Sequence, residues 1–457
     1  MIKNEMVIPP VRRIFIECTA TCERDANTGI QRVVRNIVNN AVQIGPEIGV
    51  ECHGVAFHSA AGFVAVKGLP TPPVRGSQRE LRGATLRQTL TTALKAWLRA
   101  ANLLDVSRRI KHSLKRAIHR LFIPLRRSSR NGVRFRTGDV LLLMDESWNS
   151  SFPWSAIREA QSCGAAVGLV LHDLIPLRAP HLASKQTHDL YGRWWNNVRL
   201  MADFIVGISK SALAEVDAVE MARRPDGLAT VTRRRGSFRL GAELDGAVET
   251  SLMKEAIAVA FGIGESRRTY LMVGTISPRK NYALAIDAFD RLWRAEADVS
   301  LVIAGKYGWD CDELAERIRR HGQFGKRLFW FEDARDHELD FCYRHAAGLI
   351  TASRAEGFNL PIVEALSRRC PVLASDLPVH REVGGAYAAF FPDDDASALA
   401  EVVLQHQRKD ERVGVQSPGG FRWPDWPESC RELLQRVLEL APTTTATIEP
   451  TASKSAA

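Results

Sequence analysis

The segment from Ala346 to Ser375 constrains the fold of this chain more than any other. The run AAGLITASRA (Ala346 to Ala355) reads as a buried strand entering a loop, EGFNLPIVE follows at Glu356 to Glu364, and Pro371 to Ser375 reads as a further strand. Pro361 lacks an N–H and suits the first turn of a helix, so the order is strand, loop, helix, strand. That is the doubly wound α/β arrangement, in which ligands sit outside the carboxyl ends of the strands. Glu364 falls on the helix and Glu356 just before it. The backbone N–H groups of Phe358, Asn359 and Leu360 converge at the helix start, where about half a positive elementary charge is concentrated. A diphosphate fits there. Two carboxylates beside an anion site suit a ligand that carries hydroxyls as well; the plainer alternative is a helix start with acids placed for its dipole.

The chain of 457 residues is too long for one ordinary domain and fits two. Its 45% hydrophobic and 25% charged residues are those of a globular protein. Eight cysteines are scattered without a C-x-x-C pair, which points away from zinc or redox chemistry and towards thiols in a reducing compartment. No run of 18 apolar residues and no leader pattern is seen, so a cytoplasmic location is expected. The net charge of +10 is local: Val106 to Gly138 holds 11 Lys and Arg and no acid, and the rest of the chain carries about −1. Between Val106 and Leu125 the apolar residues recur at helical spacing with Arg108, Arg109, Lys111, Lys115, Arg116 and Arg120 between them, as in a helix lying on an anionic bilayer. A solvated face packed on its own domain and a nucleic-acid contact are the alternatives; nucleic acid is disfavoured because only Phe122 and Phe135 interleave the charges.

Along the chain, Arg12 to Ala20 reads as a first strand, followed by a helix with Ile30, Val33, Val34, Ile37, Val38 and Ala41 on one face and Thr28-Gly29 at its start. No G-x-G-x-x-G follows that strand, so a dinucleotide oxidoreductase is disfavoured. Gly29 lets a phosphate approach the backbone, or is simply a flexible turn residue beside an N-cap. Gly54 to Val66 reads as a strand or hairpin, Asp139 onward as a strand, and the all-apolar Ala165 to Leu171 as a parallel strand with His172-Asp173 at its carboxyl end. Phe204 to Val216 gives a strand and helix with Ser209 as N-cap. The strand Tyr270 to Val273 ends at Gly274, and Lys280 at the next helix start offers a point charge to a phosphate.

The stretch Glu356 to Glu364, with MVGTISPRKNYALAIDAF (Met272 to Phe289) and LVIAGKYGW (Leu301 to Trp309), resembles the second half of a family 4 retaining glycosyltransferase of the GT-B class. The sequence around Arg279 and Lys280 resembles the branch that builds bacterial O-antigens and exopolysaccharides. The resemblance covers Tyr270 to Pro392 and is weaker over the first half. It implies an α/β fold of two Rossmann-like, doubly wound domains facing a cleft. The first is residues 1–245, with a basic helical insertion at about 67–138, and a linker follows at 246–268. The donor-binding domain is 269–420, the terminal helix 421–441, and a disordered tail 442–457.

The resemblance also implies roles. A sugar would move, with retention, from a nucleotide diphosphate sugar to a hydroxyl of a glycan or lipid-linked glycan, with GDP-mannose the first expected donor and UDP-sugars next. Glu356, His172 and Asp173 would act at the transferred sugar. Gly29, Gly274, Arg279, Lys280, Gly357, Phe358, Asn359 and Leu360 would hold the donor, and Glu364 its ribose. No metal or other cofactor is implied, since Lys280 and the helix N-terminus meet the phosphate charge. Thr275 stands where many relatives carry Arg; Arg279 is a candidate substitute, the alternative being a solvated residue. Glu332 stands where Gly is frequent, which leaves the base open. A glycoside hydrolase using Glu356 and Glu364, and a non-catalytic basic scaffold, are the competing readings. Attachment to the cytoplasmic face of the inner membrane through Val106 to Gly138 is expected, and binding to nucleic acid is not.

Overall fold

The computed structural model describes residues 6–7, 11–23, 28–70, 132–149, 154–222, 233–244, 255–262, 267–408, 416–442 and 445–446. The basic helix expected between Val106 and Leu125, most of the linker and nearly all of the tail lie outside these residues.

Two sheets are present, one in each half. The first has seven strands: β1 (Arg13–Glu17), β2 (Glu51–His58), β3 (Gly62–Val66), β4 (Asp139–Leu143), β5 (Ala166–Leu171), β6 (Phe204–Gly207) and β7 (Arg234–Ser237), in the order β3-β2-β1-β4-β5-β6-β7. All neighbours are parallel except the β2–β3 hairpin at one edge. The central strands are buried along their length, as DVLLL in β4 shows; parallel strands covered on both faces need such runs. The second sheet has six parallel strands: β8 (Arg268–Val273), β9 (Val299–Ala304), β10 (Leu328–Phe331), β11 (Gly348–Thr351), β12 (Val372–Ser375) and β13 (Ala388–Phe391), in the order β10-β9-β8-β11-β12-β13. Both halves are therefore doubly wound, the arrangement that the resemblance implies.

The helices follow the apolar spacing of the sequence. Helix α1 (Gly29–Glu47) starts after Thr28, whose backbone N–H donates to the Gln31 side chain, and buries Val33, Val34, Ile37, Val38 and Ala41. Against that face packs the last long helix, α11 (Trp426–Leu440), through Cys430, Leu433, Leu434 and Val437. The Cys430 thiol reaches the Ile37 carbonyl at 3.7 Å. The end of the chain thus returns to the first half and ties the two halves together. A short antiparallel pairing joins Met6–Val7 to Thr445–Ala446. All eight cysteines are free thiols, with Cys22 and Cys163 exposed.

Candidate functional site

The carboxyl ends of β8 and β11, adjacent strands at the middle of the second sheet, each feed a helix through the same device. After β8, Pro278–Lys280 form one tight turn and Asn281 (φ 52°, ψ 42°) opens α5 (Tyr282–Arg294). After β11, Asn359 (φ 76°, ψ 67°) opens α8 (Leu360–Ser367), with Pro361 in its first turn. Both asparagines are left-handed, a conformation that costs Asn less than other residues with a Cβ. Each is held by its side chain: Asn281 donates to the Asp393 carbonyl at 2.7 Å, and Asn359 donates to Thr351 Oγ1 and His380 Nε2, both at 2.8 Å. His380 Nδ1 donates to the Ser375 carbonyl at 2.8 Å, which leaves Nε2 as the acceptor for Asn359. Burial lowers the His380 pKa and keeps this neutral form.

Glu356 lies between the two loops. Its carboxylate accepts from Lys280 Nζ at 2.6 Å, from Ser353 Oγ at 2.7 Å and from the Arg279 guanidinium. Burial alone would raise its pKa, but the charges of Arg279 and Lys280, with these hydrogen bonds, outweigh that and hold the carboxyl well below the usual range. Arg279 also donates to the Ala355 carbonyl at 2.9 Å, and its own carbonyl accepts from Arg354 N at 2.9 Å, so the loops are laced together. Lys280 lies along Gly274, whose φ of 133° and 3.2 Å distance from an ideal Cβ to Lys280 Cε leave little room for a side chain. The Tyr282 hydroxyl donates to the Gly274 carbonyl at 2.5 Å. Burial lowers the Lys280 pKa against the pull of Glu356, and the charge of Glu364 also reaches it.

The first half meets this cluster at Gly357. A Cβ there would stand 2.1 Å from the His172 carbonyl oxygen and 3.1 Å from Asp173 Cβ, so glycine is required by close approach. Ser209 Oγ donates to the Gly357 carbonyl at 2.7 Å and accepts from Ala212 N at 2.9 Å, an N-cap that also bridges the halves. His172 is buried and its Nε2 donates to the Met144 carbonyl at 2.8 Å. Burial raises the Asp173 pKa, opposed by the charge of Arg279. Asp173 Oδ1 accepts from Ile175 N at 3.0 Å, and the Asp173 carbonyl accepts from the Tyr191 hydroxyl at 2.6 Å. Behind them Glu215 accepts from Leu174 N at 2.6 Å, with burial raising its pKa to about 7.

The structure therefore brings together Glu356, Arg279, Lys280, Gly274, Gly357, His172 and Asp173. Phe358 is buried against Trp423, with ring centroids 6.0 Å apart. Leu360 is the first residue of α8, and Gly29 the first of α1, with open space where its Cβ would be. A Cβ at Gly308 would stand 2.7 Å from Thr275 Cγ2, and Arg279 supplies the second cation at the Glu356 carboxylate. Glu332 at the end of β10 pairs with Arg319 at 2.9 Å. Glu364, deeply buried on α8, accepts from Arg32 at 2.8 Å and from the Tyr343 hydroxyl at 2.7 Å. The sequence alone does not point to Arg32, Tyr343, Ser353 or His380 as partners of this site. The spacing of Tyr343 and His380 from the motif carries no signal of contact, whereas Ser353 is only three residues from Glu356. No group of three or more His, Cys, Asp or Glu suited to a metal ion occurs among the described residues.

The profile of the family described as Glycosyl transferases group 1 matches residues 253–412. The serotype-specific mannosyltransferase WbdA of Escherichia coli is 32% identical over 316 residues, which are 68% of this chain and 38% of that protein. The O-antigen chain mannosyltransferase B of Escherichia coli is 31% identical over 144 residues, 31% of this chain and 37% of that protein. The chain thus spans under two-fifths of the length of these relatives. Among solved structures, HepE from Anabaena in complex with UDP-glucose is 12% identical with a TM-score of 0.49, covering 94% of this chain and 95% of that one. So distant a likeness adds nothing to the functional reading. Residues 253–412 thus match the group 1 glycosyltransferase family, and they lie in the doubly wound second half of the chain.

Proposed function

We propose that the protein is a retaining glycosyltransferase that moves mannose from a nucleotide diphosphate sugar, GDP-mannose first and a UDP-sugar next, to a hydroxyl of a glycan or lipid-linked glycan. The observation that carries this reading is the Glu356–Arg279–Lys280 cluster at the start of α8, closed from the other half by His172 and Asp173. The relatives named as mannosyltransferases support the choice of sugar.

Charge develops on the β-phosphate as the sugar leaves, and preorganised cations and N–H groups stabilise it without reorganising. Lys280, Arg279 and the N-terminus of α8 supply them. In the cluster, Glu356 pairs with both cations, leaving net positive charge for the phosphate, and accepts a hydrogen bond from a sugar hydroxyl; its firmly ionised carboxyl argues against the proton-donating role that a hydrolase would need. Glu364 holds the ribose. His172 presents Nδ1 to the sugar while Nε2 is fixed on Met144. The departing phosphate oxygen takes the acceptor proton on the same face, so no enzymic nucleophile is needed.

The test is turnover with a panel of labelled nucleotide sugars, with and without EDTA, followed by NMR of the anomeric configuration in the product. Transfer that survives chelation and keeps the α-configuration of the donor is expected. Turnover that returns only on adding manganese, or an inverted product, would contradict the mechanism.

A further inference from the structure

Arg32 stands three residues past Gly29 on α1, and its guanidinium crosses to the other half of the molecule. One terminal nitrogen donates to Glu364 Oε1 at 2.8 Å and the other to Asp336 Oδ1 at 2.7 Å, on the first turn of α7 (Asp336–His345). The Arg32 side chain is only 11% exposed and that of Glu364 only 3%. Tyr343, also on α7 and fully buried, donates to Glu364 Oε2 at 2.7 Å.

We propose that Arg32 is a positioning residue for the donor, fixing the Glu364 carboxylate in the orientation that receives the ribose diol. This rests on the reading of Glu364 as the ribose anchor.

A carboxylate offers about four acceptor positions. Arg32 and Tyr343 fill one on each oxygen, which leaves one on each for the two neighbouring ribose hydroxyls. The nucleotide then meets a carboxylate whose rotamer is already chosen, and no ordering cost falls on binding. Without Arg32, the nearly buried Glu364 carboxylate loses its ion-pair partner and keeps a hydrogen bond from a neutral phenol, and breaking a buried pair by removing one member is strongly disfavoured. Burial and the Glu364 charge push the Tyr343 pKa well up, so the phenol stays a donor and never supplies charge. The arginine fork suits this task because its two arms serve two acids at once, which a lysine ammonium on a single stem does less well. Because Arg32 belongs to the first half, the residues that position the donor anchor draw on both halves of the chain.

Donor Kd and steady-state constants, with the nucleotide sugar that the protein turns over, are to be measured for the full chain and for Arg32→Lys, Arg32→Gln, Asp336→Asn, Glu364→Gln and the double variant Arg32→Gln/Glu364→Gln. Circular dichroism establishes that each is folded. For Arg32→Gln, donor Kd and KM are expected to rise about 10-fold or more, the size of a charge-assisted hydrogen bond, while kcat falls less. Arg32→Lys, which keeps the charge and folds more readily, should fall between, and Asp336→Asn should stay within about 2-fold. The double variant should bind no worse than the weaker single variant, because both substitutions break one interaction. Unchanged donor Kd in folded Arg32→Gln or Arg32→Lys, or single effects that multiply in the double variant, would overturn the role of Arg32 while leaving Glu364 as anchor. Unchanged affinity in Glu364→Gln would instead overturn the ribose reading, and this proposal with it.

Discussion

At the scale of single residues, two carboxylates show how burial is resolved in opposite directions. Glu356 is surrounded by cations and stays ionised, whereas Glu17, at the end of β1, faces Asp145, and desolvation with that neighbouring charge raises its pKa to about 8 from 4.5. A carboxyl whose folded pKa lies above its unfolded value costs stability at every pH where the unfolded chain would be ionised. The cost is absent below about pH 4.5 and grows as pH rises towards 8. Glu17→Gln keeps the acceptor for Thr19 N, bound at 2.8 Å, and removes the titration. It is expected to leave the melting temperature unchanged at pH 4 and to raise stability by about 2 kcal/mol or more at pH 8, read from melts at both values. A second expectation concerns Gly357: Gly357→Ala drives a methyl into the His172 carbonyl and should abolish transfer while far-UV circular dichroism stays native. The motif around Glu356 was legible because its residues are local in sequence. The pairing of Arg32 with Glu364 spans 332 residues, and nothing in either segment names the other.

At the scale of elements, the two left-handed asparagines show what pattern reading misses. Apolar runs and a proline place β11, α8 and β12 to within a residue or two. The turn between strand and helix depends instead on the conformation of Asn281 and Asn359, which periodicity does not encode. Asn359 is expected to separate two effects. Asn359→Gly keeps the left-handed turn and loses the His380 and Thr351 bonds, whereas Asn359→Ala also pays about 1 kcal/mol or more of backbone strain. Chemical denaturation should rank Ala below Gly; equal stabilities would mean that the side-chain bonds alone hold the loop. His380 and Thr351, on neighbouring elements, were invisible for the same reason as Arg32.

At the scale of the whole molecule, the doubly wound pattern of the second half was legible from its strands and helices and the pair of such halves was implied by the resemblance, but their mutual placement was not. It depends on α11 packing on α1 and on contacts such as Ser209 to Gly357, which link residues far apart in sequence. No helix of the described residues is long and apolar enough to cross a membrane. We propose that the 11 Lys and Arg of Val106 to Gly138 attach the protein to an anionic surface, at about 1 kcal/mol for each residue in contact. Replacing Arg108, Arg109, Lys111, Lys115, Arg116 and Arg120 by Gln should abolish salt-sensitive sedimentation with anionic liposomes; sedimentation equal to the parent's would reduce the segment to a surface of its own domain. The central claim is that the site between the halves holds a nucleotide diphosphate sugar through Glu364 and the cationic cluster. Titration calorimetry of GDP-mannose and UDP-sugars into the full chain and into Glu364→Ala, in EDTA, tests it most directly. Binding by the parent and a loss of about 10- to 150-fold in the variant, the size of a hydrogen bond to a charged acceptor, are expected; unchanged affinity in a folded Glu364→Ala, or no binding by the parent to any nucleotide sugar, would contradict this role of the site.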